Sequence, residues 1–354
     1  MWLHGASVGD QRALAPLVAR LRAARPELRL LITAWTAGGL AMGTQLFPDL
    51  PVRRVPLSVV WGPGRVLRRV RPRVVVFEYL ELWPAWIAAC RRQGVRTLVV
   101  DGRVGPRSLR IRPLLARAAA ALDGFCARSP RDARNALRLG VRPERLYVHG
   151  NAKHDGAVVP PLPSPELAQR VGPVEVVVGS LHPDEEAAAL PALAAAGLRA
   201  LIAPRYPQRA AALIQAAARL GVEAARRSQP PDSHAQSPQW VVLDTIGELA
   251  SAYVLAPVAV VGGTFGRRQG QTLVEPAAHG CAVIHGPATD NIAEEVAALA
   301  GQGAWPVADW VDAFAQVHRL RDAPGPDPRP ALATLRGAAD RNLLTLLDLL
   351  DRPA

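Results

Sequence analysis

The acidic and basic side chains that could do chemistry in this 354-residue chain sit where apolar runs end. Asp10 closes the small-residue stretch Ser7-Val8-Gly9-Asp10, just after the apolar start and just where a helical pattern begins. Glu78 ends the run "VVVFE", and Glu81 follows in the loop before Trp83 and Pro84. Lys153 stands in "HGNAKHD" and is the single lysine among many arginines. A carboxylate in such a place can take a proton from an attacking hydroxyl. A compact ammonium can offset charge on a departing group. A second reading of Asp10 stays open, as a helix N-terminal carboxylate that does no chemistry. Glu78 is costly at the end of a buried strand unless it is hydrogen-bonded or in use.

Polar residues follow strands elsewhere too. "DGRVGPRS" places Arg103 after one, and "GSLHPDEE" places Ser180 at a helix start whose N–H groups could receive an anion. Arg205, after Pro204 in "APRYPQR", suits a phosphate. "DTIGEL" offers Ile246, Gly247 and Glu248 to a base ring. The glycine-rich stretch "VGGTFGRRQGQTLVEP" leads through Thr272, Leu273 and Val274 to Glu275, a carboxylate able to grip ribose hydroxyls. "GPATDN" ends on Asn291.

These residues need elements to hold them. Apolar strands alternate with helices throughout, with strands near 2–4, 28–33, 52–55, 74–78, 97–101, 124–127 and 146–149, then 174–179, 200–203, 241–243, 258–262 and 282–284. Such alternation predicts an α/β protein with parallel sheets covered on both faces. The proline-rich run 158–173 reads as a linker, which predicts Rossmann-like domains over 1–157 and 174–325, and a terminal helical segment over 326–354. Ligands of doubly wound sheets sit beyond the carboxyl ends of the strands. The expectation is two lobes facing a cleft, with Asp10, Lys153, Arg205 and Glu275 around one gap.

The formal charge is +12, and arginines crowd 53–73 and 103–117. Such patches attract phosphates of head groups, acidic saccharides or nucleic acid. Few aromatics lie among them and no zinc spacing or recognition helix is present, so nucleic acid ranks last as a partner. No run reaches the roughly 18 apolar residues of a membrane span. No secretory signal opens the chain. Cys90, Cys126 and Cys281 lie far apart in apolar contexts and read as buried, reduced thiols of a cytoplasmic protein.

From "WLHGASVGD" to "GPATDNIAEE" the chain resembles the 3-deoxy-D-manno-octulosonic acid (Kdo) transferases of lipopolysaccharide assembly. Their pattern runs H-A-x-S-V-G-E, E-T-E-L-W-P, N-A-R-x-S-x-R-S, G-N-x-K-F-D, G-S-T-H-x-x-E-E, P-R-H-P-E-R, D-T-x-G-E-L, G-G-S-x-x-x-x-G-G-H-N-x-x-E-P and G-P-x-x-x-N-F. The resemblance implies a GT-B glycosyltransferase fold with CMP-Kdo as donor. It also implies inversion at the anomeric carbon, no metal and no cofactor beyond the substrate. It places Asp10 at the general base, Glu78 and Glu81 at the two glutamates, and Lys153 at the lysine that stabilises developing charge. Pro204 and Arg205, Ile246 to Glu248, and Thr272 to Glu275 fall on CMP-contacting segments. Ser7, Arg103, Ser180 and Asn291 are assigned to acceptor or phosphate. The implied acceptor is an anionic lipid A precursor, met by a protein peripheral to the cytoplasmic face of the inner membrane. Departures mark a divergent member: Asp for Glu at position 10, Tyr206 for histidine, and Gln269-Gly270-Gln271-Thr272 for G-G-H-N. Asp101-Gly102-Arg103 replaces N-A-R and Ile292 replaces phenylalanine, and the expectation is a member that lacks the family's N-terminal apolar anchor. Alternatives are a GT-B enzyme for another sugar nucleotide, an epimerase, or a non-catalytic relative that binds glycolipid or nucleotide.

Overall fold

The structure, a computed structural model, describes residues 1–55, 62–80, 82–155, 162–229, 238–268 and 270–352. The chain divides into two units, Met1–Gly156 with Leu335–Ala354, and Ala157–Thr334.

The first unit alternates strand and helix: β1 (Trp2–His4), α1 (Val8–Ala24), β2 (Leu31–Ala34), α2 (Ala37–Leu46), β3 (Val52–Arg54), α3 (Gly62–Val70) and β4 (Val74–Glu78). It continues with α4 (Pro84–Arg92), β5 (Arg96–Gly102), α5 (Pro106–Arg110), α6 (Arg112–Ala120), β6 (Gly124–Ala127), α7 (Pro130–Leu139) and β7 (Leu146–Val148). The second unit follows with α8 (Pro165–Val171), β8 (Val176–Leu181), α9 (Glu186–Ala196), β9 (Ala200–Pro204), α10 (Ala210–Arg219), β10 (Ala224–Arg226) and β11 (Trp240–Val242). It ends with α11 (Leu249–Ala252), β12 (Val258–Val261), α12 (Val274–Ala278), β13 (Ala282–His285), α13 (Ala293–Leu299), β14 (Ala304–Pro306) and α14 (Trp310–Leu320). The final helix, α15 (Ala338–Asp351), belongs to the first unit.

Each unit holds one parallel seven-stranded sheet, ordered β3-β2-β1-β4-β5-β6-β7 and β10-β11-β9-β8-β12-β13-β14. All five residues of β4 are buried, as a strand covered on both faces requires. In register, Leu3 lies between Ile32 and Val76. The strand order reverses between β1 and β4 in the first sheet and between β8 and β12 in the second. These are the switch points beside which doubly wound sheets take ligands.

Three local differences from the sequence reading have simple causes. Edge strands β10 (Ala-Ala-Arg) and β14 (Ala-Trp-Pro) lack the Val, Leu and Ile that make an apolar run stand out. Within the stretch 158–173, read as a linker, residues 158–161 lie outside the described residues. Residues Pro165–Val171 form a helix because the Ser164 side chain accepts the Leu167 N–H at 3.1 Å and Pro165 sits in the first turn. The terminal helical segment, read over 326–354, breaks at Gly337, whose φ of +87° belongs to the left-handed region, and the α-helix begins only at Ala338.

That last helix is held to the first unit at both ends and along its face. Leu346, Leu349 and Leu350 are buried against a cluster that includes Leu3, Ile32, Val76 and Leu98. Arg73 donates to the Leu350 carbonyl at 2.6 Å, and Arg96 to those of Leu349 and Arg352 at 2.7 and 3.0 Å. Cations at the carboxyl end of a helix satisfy orphan carbonyls and oppose its dipole. Leu346→Ala is therefore expected to cost the first unit about 2–5 kcal/mol. Native-state hydrogen exchange would show faster exchange in β1, β4 and β5 and unchanged exchange in the second unit.

Candidate active site

The first unit gathers its acidic and basic groups at the carboxyl ends of β1, β4 and β5. After β1, the loop 5–7 is fixed from below. Gln11, fully buried, donates to the carbonyls of Gly5 at 2.5 Å and Thr33 at 3.0 Å. The N–H groups of Trp35 and Thr36 both reach the Ala6 carbonyl. Ser7 caps α1 in extended conformation, and Asp10 lies three residues into the helix. Asp10 Oδ2 accepts both the backbone N–H and the hydroxyl of Ser7, each at 2.8 Å. The helix-capping reading of Asp10 thus describes one of its oxygens. Oδ1 has no hydrogen-bond partner among the described residues.

Glu78 ends β4 with no solvent exposure. Neither of its carboxylate oxygens meets a donor. Burial pushes its proton affinity well up, the charges of Asp101 and Asp10 push the same way, and Lys153 opposes them. Asp101 is likewise raised by burial, against the hydrogen bonds it accepts from the Ala152 N–H and the Asn342 amide. Two ionised carboxylates side by side repel one another, so the nearness of Asp101 favours a proton on Glu78. His4, buried beneath, is pushed down to about 4 by desolvation and is a neutral imidazole at pH 7.

Backbone conformation marks the same spot. Tyr79 and Asp101 have φ of +62° and +49°, uncommon for residues with a side chain, and the β5–β6 register shifts between Val99 and Gly102. The turn aims the Tyr79 ring at Lys153, whose Nζ is 5.4 Å from its centroid. Arg128 donates to the Tyr79 hydroxyl at 3.2 Å and pairs with buried Asp132 at 3.3 Å. Asp132 also accepts the Val104 N–H at 3.0 Å and so anchors the loop that carries half-buried Arg103.

The structure brings Asp10, Ser7, Glu78 and Lys153 to one place, and Glu81 lies outside the described residues. Counting back from Leu82-Trp83-Pro84 puts Tyr79, rather than Glu78, in register with the first glutamate of E-T-E-L-W-P. Glu78 is one residue earlier, and its carboxylate is the one in the cluster. Sequence reasoning did not single out Asp101, Tyr79 or Arg128. Asp101 alone left a trace, as a departure from N-A-R with no role assigned to it.

The second unit builds a rim at the carboxyl ends of β9, β8 and β12. Ser180 has φ of +56°, and the β8–β9 register shifts beside it. Glu185 ties this end together, accepting the N–H groups of His182, Gly263 and Phe265 at 3.0, 2.8 and 3.0 Å. His182 is 3 % exposed and neither ring nitrogen has a partner. Burial lowers its proton affinity, so it stands as a neutral imidazole. An unpartnered buried imidazole at a strand end is a ligand signal. Sequence reasoning quoted this residue within "GSLHPDEE" without assigning it.

Arg205 follows Pro204 at the end of β9, exposed and 5.9 Å over the Tyr206 ring, which meets His182 edge-on at 6.2 Å. Ile246 is 90 % exposed beside Gly247, whose φ is +92°. Glu248 accepts from Arg227 at 3.1 Å and from the Thr245 hydroxyl. Glu295 accepts the Thr272 hydroxyl at 3.1 Å and the Leu273 N–H at 2.6 Å. Leu273 and Val274 are buried, and their N–H groups are already bonded, to Glu295 and to the Thr272 hydroxyl. Glu275 is half-buried at the start of α12 and raised by burial and by the Glu295 charge. Asn291 donates to the Arg268 carbonyl at 3.3 Å, and Gln269 lies outside the described residues. No group of three His, Cys, Asp or Glu side chains among the described residues is arranged to hold a metal ion.

Residues 1–156 match the family described as 3-Deoxy-D-manno-octulosonic-acid transferase (kdotransferase). A 3-deoxy-D-manno-octulosonic acid transferase of Bordetella pertussis is 34 % identical over 99 % of this chain and 87 % of its own. Among solved structures, a putative UDP-N-acetylglucosamine 2-epimerase of Listeria monocytogenes superposes with a TM-score of 0.68 at 15 % identity, over 100 % of this chain and 97 % of its own. Anabaena Alr3699/HepE, in complex with UDP and glucose, gives 0.66 at 14 %, over 98 % of each chain. At that identity both likenesses speak for the fold, two doubly wound Rossmann-like units of the GT-B type. The whole-length identity to the Bordetella protein decides the family: the chain belongs to the 3-deoxy-D-manno-octulosonic acid transferases and is a glycosyltransferase.

Proposed function

We infer that this Kdo transferase moves Kdo from CMP-Kdo to a phosphorylated lipid A precursor, with inversion at the anomeric carbon and Asp10 as general base. The observation that carries the reading is the meeting of Asp10, Glu78 and Lys153 at the switch point between β1 and β4. Ser7 holds Asp10 Oδ2 and so orients Oδ1 toward an acceptor hydroxyl. In the transfer step the hydroxyl proton passes to Oδ1, the oxygen bonds to the anomeric carbon, and the bond to the CMP phosphate breaks with its electron pair leaving on CMP. The Lys153 ammonium offsets that negative charge, and preorganised charge of this kind carries much of a rate enhancement. A neutral Glu78 keeps a second negative charge away from Asp10 and the acidic sugar.

The donor reading draws on the second unit. Arg205 suits the phosphate, exposed Ile246 the base ring, and Glu275 the ribose, with His182 supplying an unused ring N–H donor to the phosphate or sugar acid. The Anabaena protein of this fold was solved with UDP and glucose, which supports a nucleotide sugar as the donor class. The acceptor reading draws on α5 and α6. Ile111 and Leu114 are 48 % and 71 % exposed, flanked by Arg107, Arg110, Arg112 and Arg117. Apolar side chains ringed by arginines suit an anionic lipid surface at which the protein is peripheral. No helix among the described residues is long and apolar enough to cross a membrane.

Asp10→Asn keeps an oxygen for the Ser7 cap but cannot take a proton. Transfer from CMP-Kdo is expected to fall by about a hundredfold or more. CMP should still raise the melting temperature as it does in the wild type, and UDP should do so less. Wild-type transfer by the variant would remove Asp10 from the mechanism.

Glu78→Gln gives a pH-dependent test. The folded-state proton affinity of Glu78 is raised, so its cost to stability is absent below the unfolded value near 4.5 and grows as pH rises. The glutamine variant should match the wild-type melting temperature at pH 4 and exceed it at pH 8, while transferring more slowly. Equal melting temperatures at both pH values would contradict the buried, proton-holding Glu78.

A further inference from the structure

The chain leaves the first unit after Gly156 and re-enters it at Leu335. Beside both points, the loop 149–155 that carries Lys153 is bonded to the last helix. The Asp155 carboxylate accepts the N–H of Gly337 and, at 2.5 Å, that of Ala339. It thereby closes the amino end of α15, where orphan N–H groups and the helix dipole favour an anion. Arg341 donates to the His149 carbonyl at 2.8 and 2.6 Å. Asn342, on the next residue of the helix, is fully buried. Its amide nitrogen donates to Asp101 Oδ1 at 3.3 Å, and its oxygen meets His149 Nδ1 at 2.9 Å. Asp101 in turn accepts the Ala152 N–H with both oxygens at 3.1 Å, and the Asn151 side chain accepts the Lys153 N–H at 3.2 Å. Residues on both sides of Lys153 are therefore fixed, either to α15 or to a carboxylate that α15 holds.

Asparagine suits this place. It faces a carboxylate, which only accepts, and an imidazole N–H, which needs an acceptor, and a single amide serves both. An aspartate there could donate to Asp101 only while protonated.

We propose that α15 is the positioning element for Lys153 and that Asn342 is the residue through which the helix sets the 149–155 loop. This rests on Lys153 belonging to the transfer site, yet the lysine's position can be read without any transfer reaction. Lys153 is the only lysine. Reductive methylation with 13C-formaldehyde labels its amine and the chain's N-terminus and keeps the charge. The full-length Asn342→Asp variant is compared with the wild type at pH 5 and pH 8. Position 342 meets Asp101 from the sheet and His149 from the loop, with Glu78 beside Asp101, Asp155 at the amino end of the helix and Arg341 as its chain neighbour.

The expected result is a wild-type Lys153 signal at pH 5, where the new carboxyl can donate. At pH 8 the signal moves to that of a freely rotating lysine, and kcat falls about tenfold with donor KM unchanged. Asn342→Ser, which cannot span both partners, should show the moved signal at both pH values. A Lys153 signal that follows the wild type in both variants would overturn the proposal. Loss of a cooperative melt in both variants at both pH values would overturn it too, by making the contact one of folding. A moved signal with undiminished transfer would uphold the positioning and refute instead the role of Lys153 in transfer.

Discussion

A carboxyl group buried without a donor at the end of a parallel strand is the constraint on which the first unit turns. Desolvating an ionised carboxylate costs more than a domain of this size can spare, so the side chain must be neutral or in use. Glu78 sits fully buried at the switch point of its sheet, with Asp101 beside it and Asp10 nearby. The surrounding geometry follows from keeping these acids close without letting them all ionise against one another. Lys153 supplies the compensating charge, Ser7 engages one oxygen of Asp10, and backbone N–H and amide groups satisfy Asp101. The left-handed turns at Tyr79 and Asp101 let two adjacent strands end with their side chains in one small space.

The second unit meets a related constraint with a different device. At its switch point the acid, Glu185, is spent on three backbone N–H groups, which fix the ends of β8 and β12. The residue left over is His182, buried and neutral with both nitrogens unused. One unit thus ends in charge suited to moving a proton. The other ends in a rigid rim with an open imidazole, an exposed arginine and an exposed isoleucine, suited to holding a nucleotide.

Much of this was readable in the residues. Alternating apolar runs placed twelve of the strands because buried parallel strands are nearly continuous in Val, Leu and Ile, and β4 is the plainest case. Lys153 stood out because every other basic side chain but histidine is arginine. The two readings of Asp10 were both visible, since a capping residue and a general base occupy the same first turn. The rest depended on distant residues. Asn342 reaches Asp101 across 241 positions, and nothing in either local sequence announces the pair. The last helix reads as an appendage because its partners, Asp155 at one end and Arg73 and Arg96 at the other, belong to elements far back in the chain. Tyr79 was hidden by its neighbour: a glutamate draws attention, while a tyrosine in a left-handed turn has no sequence signature.

The departures from the family pattern also gain a physical context. Asp101, in place of asparagine, brings a second acid to Glu78, and Asn342 is the amide that meets it. The state of Glu78 is therefore the point on which the account stands. Infrared spectroscopy of the full chain at pH 7 reads it directly. A protonated-carboxyl C=O band is expected in the wild type and is expected to be absent in Glu78→Gln. A wild-type spectrum in which that substitution removes only ionised-carboxylate bands would contradict it.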